Sequence, residues 1–199
     1  TLWDKTADKQ AEREQERHNR ELAAQAKELE ASERALAQII QGTTVPTFVI
    51  DQQRVITHWN RALERLSGFE SRRMVGTREQ WIPFWPHERP TMADLILDRQ
   101  GERKMQELYG TWRRSQLIEG AYEAEAFFPK LGTEGRWCFF TAAPIKAADG
   151  TITGAIETLI DRTEQKKAEE ERERHFNEMA GLCSIYTALS TSLDLDHRI

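Results

Sequence analysis

The start of the chain is mostly polar and charged, with leucines at regular intervals. Residues 8–41 contain no glycine or proline and are rich in residues with high helix propensity. Leu22, Leu29 and Leu36 recur every seven residues, as one core position of a coiled coil does, but Glu33 interrupts the second series of core positions. The pattern predicts one long helix. It either forms a weak, parallel coiled coil with a second copy or stays a solvated single helix.

Short apolar runs separated by turn residues follow this helix. Gly42 suits the helix end. The apolar runs 48–50 and 55–56 flank four polar residues and predict a hairpin. Asn60 is a typical N-cap residue for a short helix that Gly68 closes. The chain therefore enters a compact domain through two strands and a short helix.

Prolines at 83, 86 and 90 break the next segment repeatedly. Pro90 suits the first turn of a helix that runs through 95–97. The polar stretch 102–114 has the composition of a further helix. We therefore expect short helices in this part of the chain.

Three strand patterns come next, at 122–128, 136–145 and 152–160. Asp149-Gly150 is a strong hairpin signal between the last two. In the third strand, alternate residues share one face: Ile152, Gly154, Ile156, Thr158 and Ile160. Together with the two early strands, this meander predicts an α+β fold with a five-stranded antiparallel sheet and short helices on one face.

The pattern becomes helical again after the last strand. Residues 163–174 are highly charged, and the apolar residues of 176–189 are spaced to form one helix face. We expect a helical connector at 1–42, a compact domain at 43–163 and a second connecting helix at 164–199. The chain begins with threonine and stops within a helical pattern, so we expect it to be a piece of a longer protein.

Charge and composition disfavour several classes of partner. The net charge is −5, and basic and acidic residues are mixed, so no basic stripe indicates nucleic acid. No apolar run approaches the roughly 20 residues that span a bilayer, so we expect membrane contact only through segments outside this chain. Cys138 and Cys183 lie in a strand-like and a helix-like run, which favours free thiols in a reducing, cytoplasmic compartment.

Two stretches resemble the PAS family of sensor domains. The segment 55–70, with Asn60 and Gly68, is similar to the PAS signature, and Gly76 continues it. The end of the last strand, with Asp161 and Thr163, resembles the Asp-x-Thr exit that leads into a connecting helix.

Further segments add to the resemblance. The stretch 81–94, read with later aromatic residues, looks like a subgroup from multidomain bacterial sensors, and 186–196 resembles the lead-in helix of a GAF domain. The resemblance implies a sensory or relay module that dimerises through its flanking helices. It would pass a conformational signal to an effector domain in the same chain, such as that of a histidine kinase, cyclase or phosphatase.

The same resemblance indicates candidate ligand-binding residues. Trp81, Trp85, His87, Tyr122 and Trp137 fall where PAS domains build a pocket wall, although each also suits a structural role. The light-sensing cysteine motif and the usual haem ligand of PAS relatives are missing. We therefore predict no cofactor, while an unidentified small-molecule ligand stays open. A haem or other redox or gas sensor, and a purely structural dimerisation unit, are the alternatives.

Asp161 and Thr163 are candidates for coupling the sheet to the following helix. Thr163 suits the helix start and Asp161 can hold the junction, either as a simple cap or as a signalling contact. No catalytic set, phosphate-binding loop or metal-ligand spacing is present, so we expect no enzyme in this chain. We expect Arg89 and Asp94 to form a structural pair, and Glu123 and Glu125 to face solvent.

Overall fold

The computed structural model describes residues 2–98 and 101–196, with side chains described for 13–98 and 101–181. The helices are α1 (Leu2–Gly42), α2 (Arg61–Ser67), α3 (Ser71–Met74), α4 (Met92–Ile96), α5 (Gly101–Tyr109) and α6 (Thr163–Asp196). The strands are β1 (Thr47–Asp51), β2 (Ile56–Trp59), β3 (Trp112–Arg114), β4 (Tyr122–Phe128), β5 (Arg136–Lys146) and β6 (Ile152–Asp161).

The strands form one antiparallel sheet in the order β2-β1-β6-β5-β4-β3. The α+β prediction is confirmed, but the sheet has six strands rather than five. The additional strand is β3, where Trp112 lies opposite Ala124. The expectation of a helix through 102–114 is wrong beyond Tyr109, because Gly110 adopts a φ of 68° and ends α5. A three-residue edge strand is too short to show the alternation by which strands are recognised.

Aromatic side chains fill the core between the sheet and the helices. Phe84 lies 5.2 Å from Phe128 and 6.5 Å from Phe48, and Phe128 lies 5.3 Å from Phe140, measured between ring centroids. All four rings are buried. Burying one such side chain contributes about 1.5–3 kcal/mol, so this cluster stabilises the domain from its centre.

Strand β6 lies in the middle of the sheet, between β1 and β5. The apolar residues that alternate along it do share a face, but that face lies away from the core, and Ile160 is 47% exposed. The opposite face is buried, and it consists of Ala155, Glu157 and Leu159. A carboxyl group therefore lies on the covered side of the central strand.

The two long helices extend from the domain with exposed apolar side chains. Leu22, Leu29 and Leu36 of α1, and Phe176 and Met179 of α6, are between 50% and 73% exposed. Among the described residues, no helix combines the length and apolar character needed to cross a membrane.

Candidate functional site

Asn60 joins the end of α1 to the domain. Its extended backbone follows β2, and its Oδ1 accepts hydrogen bonds from the N–H groups of Leu63 (2.9 Å) and Thr47 (3.0 Å). Its Nδ2 donates to the carbonyl oxygens of Val45 (2.8 Å) and Ile40 (3.2 Å). One buried amide therefore connects α1, β1 and α2. We call this arrangement the entry junction.

Gln41, which the sequence analysis did not single out, strengthens the entry junction. Its Nε2 donates to the Trp59 carbonyl (3.0 Å), and its Oε1 accepts from the Arg61 N–H (3.2 Å). The sequence could not predict this role for Gln41, because its hydrogen-bond partners lie about twenty residues further along the chain. The last turn of α1 is thus fixed to the domain at two side chains.

The two glycines of the PAS-like signature hold the turns that follow the entry junction. Gly68 ends α2 with a φ of 77°, and its N–H donates to the Glu64 carbonyl. Gly76 has a φ of 86°, and its N–H donates to the Ile56 carbonyl at 2.8 Å. Both conformations strain residues that carry a Cβ atom, which explains the need for glycine there.

Asp161 and Thr163 fasten the start of α6 to β5. Asp161 Oδ1 accepts from the Thr163 N–H (2.9 Å) and hydroxyl (2.6 Å), and its Oδ2 pairs with Arg136. Thr163 Oγ1 in turn accepts from the Trp137 N–H (3.1 Å), while the Arg162 N–H donates to the Trp137 carbonyl (2.8 Å). We call this arrangement the exit junction.

The electrostatics of Asp161 follow from these contacts. Partial burial disfavours its charged form, but the hydrogen bonds from Thr163 and the Arg136 guanidinium outweigh that effect. The pKa of Asp161 therefore lies below its ordinary value. The carboxylate is ionised at neutral pH and acts as an acceptor only.

Glu125 extends the exit junction to β4. Its carboxylate lies 2.6 Å from Lys166 Nζ and 3.8 Å from Arg162 Nη1. The expectation that Glu123 and Glu125 simply face solvent is wrong, since the Glu123 side chain is 13% exposed and its carboxylate lies 2.7 Å from Arg113. Alternation along β4 placed both residues on one face. The basic residues that cover that face come from β3, from α6 and from Arg162, which lies between β6 and α6.

The entry and exit junctions lie side by side. Strands β1 and β6 are antiparallel neighbours, with Thr47 opposite Thr158. The Leu159 N–H donates to the Pro46 carbonyl at 2.9 Å. Because β1 starts where β6 ends, α1 arrives and α6 departs at the same end of the sheet.

The five candidate pocket residues are not gathered in one place. Trp81 lines a surface cleft, Trp85 is half-buried close to it, and His87 is exposed. Tyr122 lies on β4 and donates its hydroxyl proton to Glu102 (2.8 Å). Trp137 belongs to the exit junction, where its ring lies 5.5 Å from Lys166 Nζ.

The surface cleft beside Trp81 is polar and measures about 530 Å³. Arg89 lines it, with its guanidinium stacked 3.7 Å above the Trp85 ring and one Nη donating to the Leu108 carbonyl (3.0 Å). Gln80 Oε1, Trp85 Nε1 and Arg89 Nε are buried without a hydrogen-bond partner. We call this cleft the Arg89 cleft.

Asp94 lines the Arg89 cleft. The expectation that it pairs with Arg89 is wrong. Its carboxylate accepts from Gln80 Nε2 (2.7 Å), the Thr91 N–H (2.8 Å) and the Thr91 hydroxyl (2.8 Å). With the reciprocal bond from its own N–H, Asp94 completes a capping box for α4. The Arg89 guanidinium stacks between the rings of Trp85 and Tyr109 instead, which keeps it from pairing with the Asp94 carboxylate.

Glu157 is the functional candidate that the sequence analysis missed. It is 2% exposed on β6, and its Oε2 accepts the Ala93 N–H of α4 at 2.8 Å. Burial raises its pKa to about 8, with a contribution from the charge of Asp94, against the opposing hydrogen bonds from Ala93 and Met92. The alternation of side chains along β6 places Glu157 on one face of the strand. It could not show that this face is the buried one, because both faces carry apolar residues.

The thiols and acidic groups offer no metal chemistry in the described part of the chain, where no cluster of three potential ligands occurs. Cys138 is buried, and burial raises the pKa of its thiol to about 12, with a further contribution from Asp161. It is therefore unreactive. The side chains of Cys183 and of the GAF-like segment 186–196 lie outside the described residues.

Comparisons with known proteins identify the fold. No curated protein matches the chain significantly. Among solved structures, an RNA-binding light-oxygen-voltage receptor is 18% identical with a TM-score of 0.49, and the match covers 75% of this chain and 38% of the receptor. The chain thus spans well under half of that receptor's length.

Two further solved structures are also similar. The PAS domain of Bordetella pertussis BvgS is 18% identical with a TM-score of 0.43, and the match covers 74% of this chain and 98% of that one. A sensory box sensor histidine kinase from Vibrio cholerae is 17% identical with a TM-score of 0.37, and the match covers 69% of this chain and 96% of that one. The family profile described as PAS fold matches residues 41–167, which is well over half of the chain. The chain therefore belongs to the PAS fold family.

Proposed function

We propose that this chain is a signal-relay PAS domain of a bacterial multidomain protein, such as a sensor histidine kinase. The observation that carries the proposal is the position of the two junctions. The end of α1 and the start of α6 are each hydrogen-bonded to the domain, and they meet at the same end of two adjacent strands.

The path between the helices is short. A movement of α1 acts on Asn60, which holds Thr47 and Val45, and the neighbouring Pro46 carbonyl binds Leu159. Leu159 lies two residues before Asp161. Each hydrogen bond on this path contributes about 0.5–1.5 kcal/mol. The path is therefore strong enough to carry a coupling free energy of about 1–3 kcal/mol, which is typical of allosteric proteins.

Dimerisation is part of the proposal. The leucine series of α1 and the apolar residues of α6 are exposed in a single chain, and pairing with a second copy would bury them. In such a homodimer, a shift of the two α6 helices would reach an effector domain further along the same chain.

The buried side chains between the sheet and the helices favour mechanical input through α1. The space between sheet and helices is occupied by the phenylalanine cluster and by Trp59, Met74, Met92 and Met105. The Arg89 cleft supports a second candidate function, which is sensing of a small polar ligand from the surface. Two residues that line the cleft, Gln80 and Arg89, each carry a buried polar atom without a hydrogen-bond partner, which favours this function.

A cross-linking experiment tests the relay. Leu29→Cys, introduced in a Cys183→Ser background, should form a disulfide between the two α1 helices of a dimer. Lys27→Cys is the matched control, because it lies on the opposite side of the heptad pattern. Amide hydrogen exchange of residues 163–170 is then compared in the oxidised and reduced forms.

We expect oxidation of the Leu29→Cys protein to change exchange at the start of α6, whereas the Lys27→Cys protein should not respond. Exchange that is identical in the oxidised and reduced Leu29→Cys dimer would contradict the relay and favour a purely structural dimerisation unit. Failure to form the cross-link in both variants, together with a monomeric mass, would contradict the dimer itself.

A further inference from the structure

Glu157 occupies an unusual position for a carboxyl group. It points from the central strand into the core, where its strand neighbours are Phe48 of β1 and Ala142 of β5. Among the described residues no cation forms an ion pair with it. Its carboxyl group accepts the Ala93 N–H at 2.8 Å, and the Met92 N–H also acts on it. A buried carboxylate without a counter-ion is costly, whereas the neutral acid is tolerated.

The charged and titratable groups around Glu157 do not relieve that cost. Asp94 of α4 adds a negative charge, and the Tyr109 hydroxyl of α5 is itself buried. The Arg89 guanidinium is held between the rings of Trp85 and Tyr109 and forms no ion pair with Glu157 among the described residues. The surroundings therefore favour a bound proton on Glu157.

We propose that Glu157 is a proton-binding site, and that release of its proton into solvent weakens the contact between β6 and α4 and so shifts the exit junction. This inference rests on the proposed relay function and names its input. No other bond is made or broken in the step, because the proton passes from the carboxyl group to water and the remaining charge stays on Glu157.

The geometry explains how the proton could control the relay. With the proton bound, the neutral carboxyl accepts the Ala93 N–H and lies beside Asp94 without repulsion. Without it, two negative charges share an interior of low polarity, where they repel strongly and attract water. Strand β6 carries both Glu157 and Asp161, so a displacement of the first reaches the second over four residues. Because the pKa of Glu157 is about 8, the change falls close to neutral pH.

Two measurements test the proposal between pH 6 and pH 9.5. The first is infrared detection of the protonated carboxyl band. The second is the distance between spin labels on Gln53→Cys and Glu171→Cys, which reports the orientation of α6 relative to the domain. Both label sites are exposed. Cys183→Ser removes a competing thiol, and Cys138 is buried. Dilution with unlabelled protein keeps the distance within one chain.

The wild type should lose the carboxyl band, and its label distance should change, with a common midpoint near pH 8. Glu157→Gln mimics the protonated group and should abolish both transitions. Asp94→Asn removes the neighbouring charge and should move the midpoint to lower pH, while its amide can still bond Thr91 and Gln80. The Asp94→Asn measurement keeps the test decisive if Glu157→Gln folds poorly.

A wild-type protein without carboxyl titration in this range, or transitions that persist in Glu157→Gln, would overturn the proposal. If the carboxyl titrates but the label distance is constant, Glu157 binds a proton without controlling α6, and the inference fails. The relay is judged separately by the Leu29→Cys cross-link, which does not depend on pH. If cross-linking changes hydrogen exchange in α6 but the distance between the spin labels does not depend on pH, only the proton input is rejected and the relay stands.

Discussion

Asn60→Ala tests the entry junction, because the substitution removes four hydrogen bonds and leaves the backbone intact. Two N–H donors, on Thr47 and Leu63, and two carbonyl acceptors, on Ile40 and Val45, lose their partner. Thr47 is 3% exposed, so water cannot easily replace the amide there.

The expected loss can be worked out bond by bond. Removing an N-cap costs about 1 kcal/mol, and an unsatisfied buried N–H about 1–3 kcal/mol. The two partly buried carbonyls add about 1 kcal/mol together, since each can still accept from water. The free energy of unfolding should therefore fall by about 3–5 kcal/mol, a large part of the roughly 5–15 kcal/mol of a typical domain.

Urea denaturation followed by tryptophan fluorescence measures this loss, because Trp59 is buried next to Asn60. Asn60→Ser should recover about 1 kcal/mol by restoring the cap alone. Asn19→Ala, on the exposed part of α1, is the matched control and should change stability by less than about 0.5 kcal/mol. A loss below about 1 kcal/mol in Asn60→Ala would show that the amide does not hold the junction, and our reasoning would be refuted.

Four further outcomes are expected. Asp161→Ala should cost only about 0.5–2 kcal/mol and leave the domain folded, yet alter output of the full-length protein about five- to thirty-fold; unchanged activity would reduce Asp161 to a simple cap. Stability should fall as pH rises from 4.5 to about 8, because the folded protein keeps the Glu157 proton that the unfolded chain releases. The Glu157 proton should contribute about 4–5 kcal/mol to the free energy of unfolding, fully present below pH 4.5 and lost as the pH rises through about 8. This contribution should vanish in Glu157→Gln. If urea titrations gave both proteins the same dependence of stability on pH, the contribution would be excluded. Light scattering at micromolar concentration should give the mass of a homodimer, and a monomeric mass would count against pairing of α1. The purified protein should be colourless, and a haem or flavin absorption band would support a cofactor-based sensor instead.

Local patterns were sufficient to predict much of the fold. The absence of glycine and proline in 8–41 predicts a long helix, and a helix spans 2–42. Alternating runs and the Asp149-Gly150 turn predict the meander of β4, β5 and β6. Asn60 and Gly68 mark the two ends of α2. These features depend on residues close in the chain, so the sequence alone contains their physical cause.

The candidate site depended on contacts between distant residues. Asn60 was recognisable as a helix cap, but its bonds to Ile40 and Val45 require α1 to turn back onto β2. Trp81 and Trp137, predicted for one pocket wall, lie at the Arg89 cleft and at the exit junction. Sequence resemblance placed both in pocket-forming segments, and only the packing of those segments decides where each ring lies.

Glu157 shows most clearly where sequence reasoning ends. Alternation along β6 establishes that Glu157 shares a face with Ala155 and Leu159, because successive side chains of a strand point to opposite sides. It does not establish which face the helices cover. That choice is made when α4 packs on the sheet, and it turns an ordinary surface acid into a buried one with a raised pKa. Burial and electrostatics are properties of the assembled layers, so they are decided only by the tertiary structure.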